Sequence, residues 1–299
     1  MDFSLNDDQK LLQDSISKFV KGSYDFEKRR QIVKQKNSLD PTIWSQFAEL
    51  GWLMLPFSEE DEGLGGTVVD TMILLEEFGK GLIVEPYIPS IVMGGGFLKR
   101  GSAAQKKQYL PELLSGQLQM AFAVQEYEHV FDIAQTEMKA QWEGDTLILN
   151  GCKSVVLNGD HANLLVVLVR TSGNCGDKNG LTLVLVDSQA NGIKRTSHRL
   201  VDGSQAAEIH FNQVKVGRDQ IIGEADKGAV IADAIINEAL LALGAEATGA
   251  LSTLLYSTVE YTKTRKQFGV AIGSFQALQH RMTNMFIAYE QTQIGRAHV

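Results

Sequence analysis

From Lys227 to Lys263 the chain runs without a proline, and Val230, Ala234, Ile235, Leu241, Ala245, Leu251, Leu255 and Val259 recur along it. That spacing predicts one continuous helix. At 1.5 Å per residue it would be on the order of 50 Å long. The stretch is apolar on several sides and carries Gly244 and Gly249, so it is expected to lie buried between neighbours and not along a surface. A rod of this kind needs a helical bundle around it, which constrains the C-terminal third of the chain.

Two other zones precede it. Residues 1–118 read as helices: Leu12, Ile16 and Phe19 form a stripe, and Val68, Met72 and Leu75 give a helix ending near Gly79. Asp40-Pro41 is an N-cap followed by proline at the first helical position, before Ile43, Trp44, Phe47 and Leu50 run to a stop at Gly51. Ser102 with Gln105 is a capping box, with Tyr109, Leu110, Leu113 and Leu114 following before Gly116. From about Gln119 the period changes. Thr136–Gln141 and Thr146–Leu149 flank Glu143-Gly144-Asp145, a hairpin signal. Leu164–Val169, Leu181–Val186, Ala207–Phe211 and Val214–Val216 continue as short strands bounded by Gly, Asn and Asp. Strands spaced this way predict an antiparallel sheet structure and not alternating βαβ units. The expected fold class is therefore α+β: an N-terminal helical bundle (1–118), a middle antiparallel β-sandwich or barrel (119–225), and the first helices of a C-terminal helical bundle (226–293).

Composition narrows the function. Twenty-eight Lys and Arg against 36 Asp and Glu leave a net charge of −8 over 299 residues, which argues against binding to nucleic acid through its phosphates. The two cysteines, Cys152 and Cys175, make neither a disulfide framework nor a zinc site, so a reducing, cytoplasmic setting is expected. No apolar run is read as a membrane span, and the acidic, amphipathic N-terminus does not read as an export signal.

Several motifs fail on inspection. Gly63-Leu64-Gly65-Gly66 follows an acidic run rather than a strand, so it is not a dinucleotide fingerprint. Gly94-Gly95-Gly96 lies in helical text and is expected to mark close helix packing. None of the six histidines pairs with Cys, Asp or Glu at metal-ligand spacing, so no metal site is expected. The segment Arg265-Lys266-Gln267-Phe268-Gly269-Val270-Ala271-Ile272-Gly273-Ser274 stands apart. It joins two helices, the second of which Ser274 can cap, and Lys263, Arg265 and Lys266 place fixed positive charge beside backbone N–H groups. Such an arrangement binds an anion such as a pyrophosphate. Phe268 adds a flat apolar face, and Gln276 and Gln279 add amides. Equally, cations at this position complement a helix C-terminus.

The text YTKTRKQFGVAIGSFQALQHRMTNM resembles the flavin-binding signature of the acyl-CoA dehydrogenase family. Leu55-Pro56 before Gly63-Leu64-Gly65-Gly66, Gly101-Ser102 to Pro111, Asn150-Gly151-Cys152-Lys153 and Asn158-Gly159 fall where that family would put them. The likeness covers essentially residues 1–293. Within the family, LPFSEEDEGLGG, GLIVEPY and KSVVLNGD are most similar to the small subunit of the pimeloyl-CoA dehydrogenases.

The resemblance implies α,β-dehydrogenation of an acyl-CoA thioester with FAD as cofactor. An electron-transferring flavoprotein would be the redox partner, and a large-subunit paralogue or a second copy of this chain the oligomeric one. It implies that Arg265, Gln267 and Phe268 reach the flavin's pyrophosphate and adenine across a subunit interface, with Gln276 just beyond. It also exposes departures. Val124 and Gln125 stand at the strand-end motif, with Gln125 in place of the expected hydroxyl, and His129, Val130 and Phe131 replace small residues. The aromatic and hydroxyl that cover flavin N5 fall on Val155 and Leu157. An apolar side chain cannot replace a hydrogen-bond donor at a flavin edge. The expected reading is a flavin-degenerate half of a heteromer. The alternatives are a self-sufficient homo-oligomer and a non-catalytic scaffold or CoA-ester binding subunit.

The family's catalytic glutamate is expected beyond Gln293. Glu238 lies one residue from the alternative position, at Ala239, which turns it by about 100° from the required face. The final residues Ile294–Val299 match one reading frame of a common sequencing adapter, so Gln293 is expected as the last authentic residue.

Overall fold

The computed structural model describes residues 5–35, 39–128 and 132–297, with side chains to Gln293. The chain forms two compact units. The first is helical and gathers Met1–Gln31, Thr67–Ile83 and Leu240–Val299; the second takes Ile32–Gly66 and Val84–Ala239.

In the first unit α1 (Asp7–Ser23) starts at a capping box of Asn6 and Gln9. Its Ile16 and Val20 are buried, on the face that packs against α4 (Val68–Gly81). Residues Phe26–Lys34 form α2, which runs on into the second unit. The predicted long helix is α7 (Gly228–Thr264), a single rod of 37 residues. It crosses α4 at two glycines. A Cβ on Gly249 would stand 1.9 Å from the Glu76 carbonyl oxygen, and one on Gly79 would stand 1.9 Å from that of Glu246. The two backbones touch with no side chain between them. Gly244, by contrast, faces open space and marks no packing contact. Nor is α7 buried all round: Leu240, Leu243, Leu254 and Tyr256 are each more than half exposed. By length and composition α7 is also apolar enough to cross a membrane, which corrects the sequence expectation that no run is. Its Ala232, Ile235, Ala242, Ala245 and Leu255 are buried within the fold. The chain ends in α8 (Gln276–Ala297). The expected adapter-derived tail, Ile294–Val299, falls outside the described side chains.

In the second unit α3 (Pro41–Glu49) begins as predicted, with the Asp40 side chain accepting from the Thr42 N–H and Pro41 in the first turn. Trp44 donates to the Gly116 carbonyl at 3.1 Å, tying α3 to the end of α6 (Ala103–Leu114), whose Ser102–Gln105 capping box is present. The glycine run 63–66 folds back on Leu55–Phe57: the Gly65 and Gly66 N–H groups donate to the Phe57 and Leu55 carbonyls at 2.7 and 2.9 Å. A Cβ on Gly63 would meet the Phe57 carbonyl oxygen at 2.2 Å. These glycines hold a turn in which their own N–H groups are spent on backbone carbonyls. A π-helical segment, Ile88–Gly95, leads into the one-turn α5 (Gly96–Lys99). Cβ atoms on Gly94, Gly95 and Gly96 would collide with Met120, Phe57 and Ile235, so the run does mark close packing, but only Gly96 collides with a helix, α7; Gly94 meets the strand at Met120 and Gly95 the turn at Phe57.

The β-structure comprises β1 (Met120–Ala123), β2 (Lys139–Glu143), β3 (Thr146–Leu157), β4 (Leu164–Arg170), β5 (Leu181–Asp187), β6 (Ile193–Arg199), β7 (Gln205–Gly217) and β8 (Ile221–Ile222). They form one sheet in the order β6-β7-β3-β2-β4-β5-β8, with β1 paired parallel to β4 and the long ladders antiparallel. The predicted strands at 207–211 and 214–216 are one strand, β7. Strands β1 and β6 were hidden from the pattern. β1 is buried throughout, so it has no alternation, and β6 is polar and largely exposed. Two irregularities interrupt the β3–β7 ladder, between Leu149 and Gly151 and between Lys153 and Val156. The second shifts side-chain parity. Cys152 and Leu157, an odd number apart, therefore pair with His210 and Ala206, which an even spacing puts on one face.

Candidate cofactor site

The segment after α7 is a hairpin, not an irregular loop. Lys266–Gln267 (β9) pairs antiparallel with Val270–Ala271 (β10). Phe268 and Gly269 turn between them with φ of 54° and 81°. Positive φ at both central residues is the type I′ geometry whose twist matches the flanking strands. It is usually signalled by Asn-Gly, which is why Phe-Gly concealed it. A non-glycine residue in this conformation costs about 1–2 kcal/mol. Phe268 nonetheless stands at the tip, 92% exposed, with its ring edge-on to Phe275 at 6.2 Å. The Ile272 N–H closes the base of the hairpin on the Arg265 carbonyl at 2.9 Å.

Around this tip the charges are not equivalent. Lys263 is held by Glu260 at 2.6 Å. Arg265 and Lys266 are exposed and make no ion pair among the described residues. Gln276 is exposed at the first position of α8, whereas the Gln279 amide donates to the Gly273 carbonyl at 3.0 Å. Ser274 does not cap α8: its hydroxyl donates to the Ala271 carbonyl at 2.7 Å and closes a 3₁₀ turn. The donor set at the tip is thus a guanidinium, an ammonium, an amide and a flat ring. Those groups fit a nucleotide pyrophosphate and its base.

The other candidate positions lie in the second unit, at the end of β1 and along β3. Val124 and Gln125 are half-buried and spend their carbonyls on β3: Val124 accepts from the Lys153 ammonium at 3.1 Å and Gln125 from the Ser154 N–H at 2.8 Å. Val155 and Leu157 are each 43% exposed. Neither offers a hydrogen-bond donor from its side chain, so these positions do not fit a flavin edge. His129, Val130 and Phe131 lie outside the described residues. Beneath this face Lys153 is fully buried and meets the Glu126 carboxylate at 2.5 Å, and burial brings its ammonium down to about 8. Glu126 also accepts from the N–H groups of Glu137 and Met138. The pair ties the segment after β1 and the residues leading into β2 to β3.

Glu238 is accounted for by Arg100, whose guanidinium donates to it at 2.6 Å while also donating to the Gly96 carbonyl. An ion-paired carboxylate of this kind has a structural employment.

Sequence reasoning missed one cluster. Cys152 on β3 and His210 on β7 are register partners, and Glu208 lies two residues along β7 on the same face. The ligand atoms of all three lie within 4.8 Å of one another. The expectation that no histidine has such partners is therefore corrected. The contacts form across two strands far apart in the chain, where linear spacing carries no signal. Tyr127 donates to one Glu208 oxygen and His210 meets the other. Burial, reinforced by Glu208, pushes the Cys152 thiol up to about 11, so it is not a thiolate nucleophile at neutral pH.

Three family profiles match in succession. These are the N-terminal domain of acyl-CoA dehydrogenase over residues 6–117, the middle domain over 121–214 and the C-terminal domain over 226–297. The chain is 29% identical over 291 residues to the probable acyl-CoA dehydrogenase YngJ of Bacillus subtilis, covering 95% of this chain and 76% of that one. It is 31% identical over 249 residues to the probable acyl-CoA dehydrogenase FadE25 of Mycobacterium tuberculosis, covering 82% of this chain and 64% of that one. Among solved structures, the FAD complex of PigA matches with a TM-score of 0.92 at 27% identity, over 99% of this chain and 79% of that one. With the three-zone order of helices, sheet and helices in place and three successive domain profiles matched, the chain belongs to the acyl-CoA dehydrogenase family, FAD-dependent oxidoreductases acting on the CH–CH group of an acyl-CoA.

Proposed function

We propose that this chain is the flavin-degenerate subunit of a heteromeric acyl-CoA dehydrogenase, and that its hairpin serves the flavin of a large-subunit paralogue. One contrast carries the reading. The hairpin keeps Arg265 and Lys266 without an ion pair among the described residues and an outward Phe268, while the chain's own flavin-facing positions, Val155 and Leu157, are apolar. FAD, when bound, supplies the hydride acceptor for the acyl β-carbon. The residues of this chain bind and orient. Arg265 holds the pyrophosphate, Phe268 lies on the adenine, and Gln267 and Gln276 satisfy the remaining polar edges. A site shared between chains makes assembly a condition of cofactor binding.

No proton transfer is assigned to this chain. Glu238 is engaged by Arg100 and is not proposed as the base. The substrate proposed is an acyl-CoA, with a dicarboxylyl thioester favoured by the pimeloyl-type text. An electron-transferring flavoprotein is the proposed oxidant, and the cytoplasm, where the two free cysteines stay reduced, the proposed setting.

Absorbance of the purified flavin separates the readings. The protein alone should be colourless or faintly yellow, and should acquire stoichiometric flavin only when co-expressed with its large-subunit paralogue. A stoichiometrically yellow protein on its own would establish the homo-oligomeric enzyme instead, and no flavin in the mixed complex would leave a scaffold.

A further inference from the structure

We propose that Cys152, Glu208 and His210 form a binding site for one divalent cation of borderline softness, with zinc as the fitting ion. This inference is independent of the flavin assignment. Its basis is geometry fixed by the sheet. Cys152 and His210 face each other across the β3–β7 ladder, and the period of two along β7 sets Glu208 beside His210. The Cys152 Sγ lies 3.8 Å from the His210 Nε2. In a tetrahedral zinc site with bonds of about 2.3 Å to sulfur and about 2.0–2.1 Å to nitrogen, those two atoms stand roughly 3.5 Å apart. That pair therefore stands within a few tenths of an ångström of the separation such a site requires, while the Glu208 carboxylate, now hydrogen-bonded to His210, would draw back from the imidazole to admit the ion.

The donor set selects the ion. Thiolate, imidazole and carboxylate together suit zinc and its neighbours, whereas magnesium and calcium take oxygen ligands. His210 hydrogen-bonds one oxygen of Glu208; on binding, the cation would take the Nε2 lone pair with the imidazole proton held on Nδ1, and the Cys152 thiol would release its proton to solvent, so uptake of the ion frees one proton. Tyr127 donates to the other Glu208 oxygen, so the carboxylate is already oriented by a further partner, as metal-ligating carboxylates generally are. On β6, Lys194 is the register partner of His210 and Thr196 that of Glu208, and His198, opposite Ala206 on the same face, is the group of that strand whose charge acts on Glu208. Three protein ligands leave the fourth position open towards solvent, since His210 is exposed.

The experiment titrates the purified protein with Zn²⁺ against a chromophoric chelator, and in parallel with Co²⁺ as a spectroscopic substitute. One equivalent of zinc is expected. The cobalt adduct should show a thiolate-to-cobalt charge-transfer band together with intense visible bands of tetrahedral type. C152S should abolish the charge-transfer band. Both C152S and H210Q should weaken zinc binding by more than about a hundredfold, beyond the roughly 10–100-fold typical of losing a supporting partner, and Y127F by about tenfold. H210Q should keep the sulfur band at high cobalt. Unchanged far-UV circular dichroism of each variant shows that the sheet is intact, and if C152S fails to fold, H210Q alone is decisive. Zinc stoichiometry and affinity unaltered in H210Q, a cobalt spectrum without the sulfur band, or no retained zinc would each overturn the proposal.

Discussion

At the scale of single residues, the buried charge of Lys153 and the exposed charge of Arg265 do opposite things. Lys153 is out of water and depends on Glu126, so Glu126→Gln should strip a buried ammonium of its counter-charge and cost about 3–5 kcal/mol in urea unfolding. Burial also lowers the folded-state value of Lys153 to about 8, against about 10.4 in an unfolded chain. Between these values the unfolded state holds more protons, so stability rises as pH climbs through that window. A urea midpoint that increases from pH 8 to pH 10 in the native sequence, and does not in Lys153→Met, checks the sign. Arg265 is exposed and makes no ion pair among the described residues, so Arg265→Ala should leave stability within about 0.5 kcal/mol while lowering flavin occupancy of the mixed complex. Unchanged occupancy by flavin absorbance would mean that the hairpin serves something else. The exposed triad of cation, amide and ring was legible in the sequence because those residues are adjacent. The Cys152–Glu208–His210 cluster was not, because strand register alone brings it together.

At the scale of elements, α7 was the most legible feature, and its surroundings the least. Absence of proline and a helical period sufficed to place its ends within a residue of the observed Gly228 and Thr264. What the pattern could not tell is which of its two interior glycines, Gly244 and Gly249, makes a contact. Only the crossing with α4 distinguishes them, so the two should respond in opposite directions. Gly249→Ala would drive a Cβ into the Glu76 carbonyl and should lower the thermal midpoint by several degrees, equivalent to about 1–3 kcal/mol. Gly244→Ala has open space and should gain up to about 1 kcal/mol through helix propensity. Differential scanning calorimetry of the two variants reads both. Strands β1 and β6 escaped the pattern for a related reason: alternation reports one wet face and one dry face, and these strands have two of the same kind.

At the scale of the whole molecule, the first unit presents Leu240, Leu243, Leu254 and Tyr256 from α7 and Phe286 and Ile287 from α8 to solvent. So many large apolar side chains on two helices read as a surface that another chain covers. Light scattering after size exclusion should give a mass above that of one chain, either as a self-assembly or with the paralogue. A monodisperse monomer across micromolar concentrations would contradict it. The bulge between Lys153 and Val156 has a reach beyond its size. Because it alone brings Leu157 round to the side occupied by Cys152, loss of a single codon there would turn the distal end of β3 inside out. One such deletion would exchange the whole lining of that surface at once, trading the outward residues for the inward ones with no point substitution.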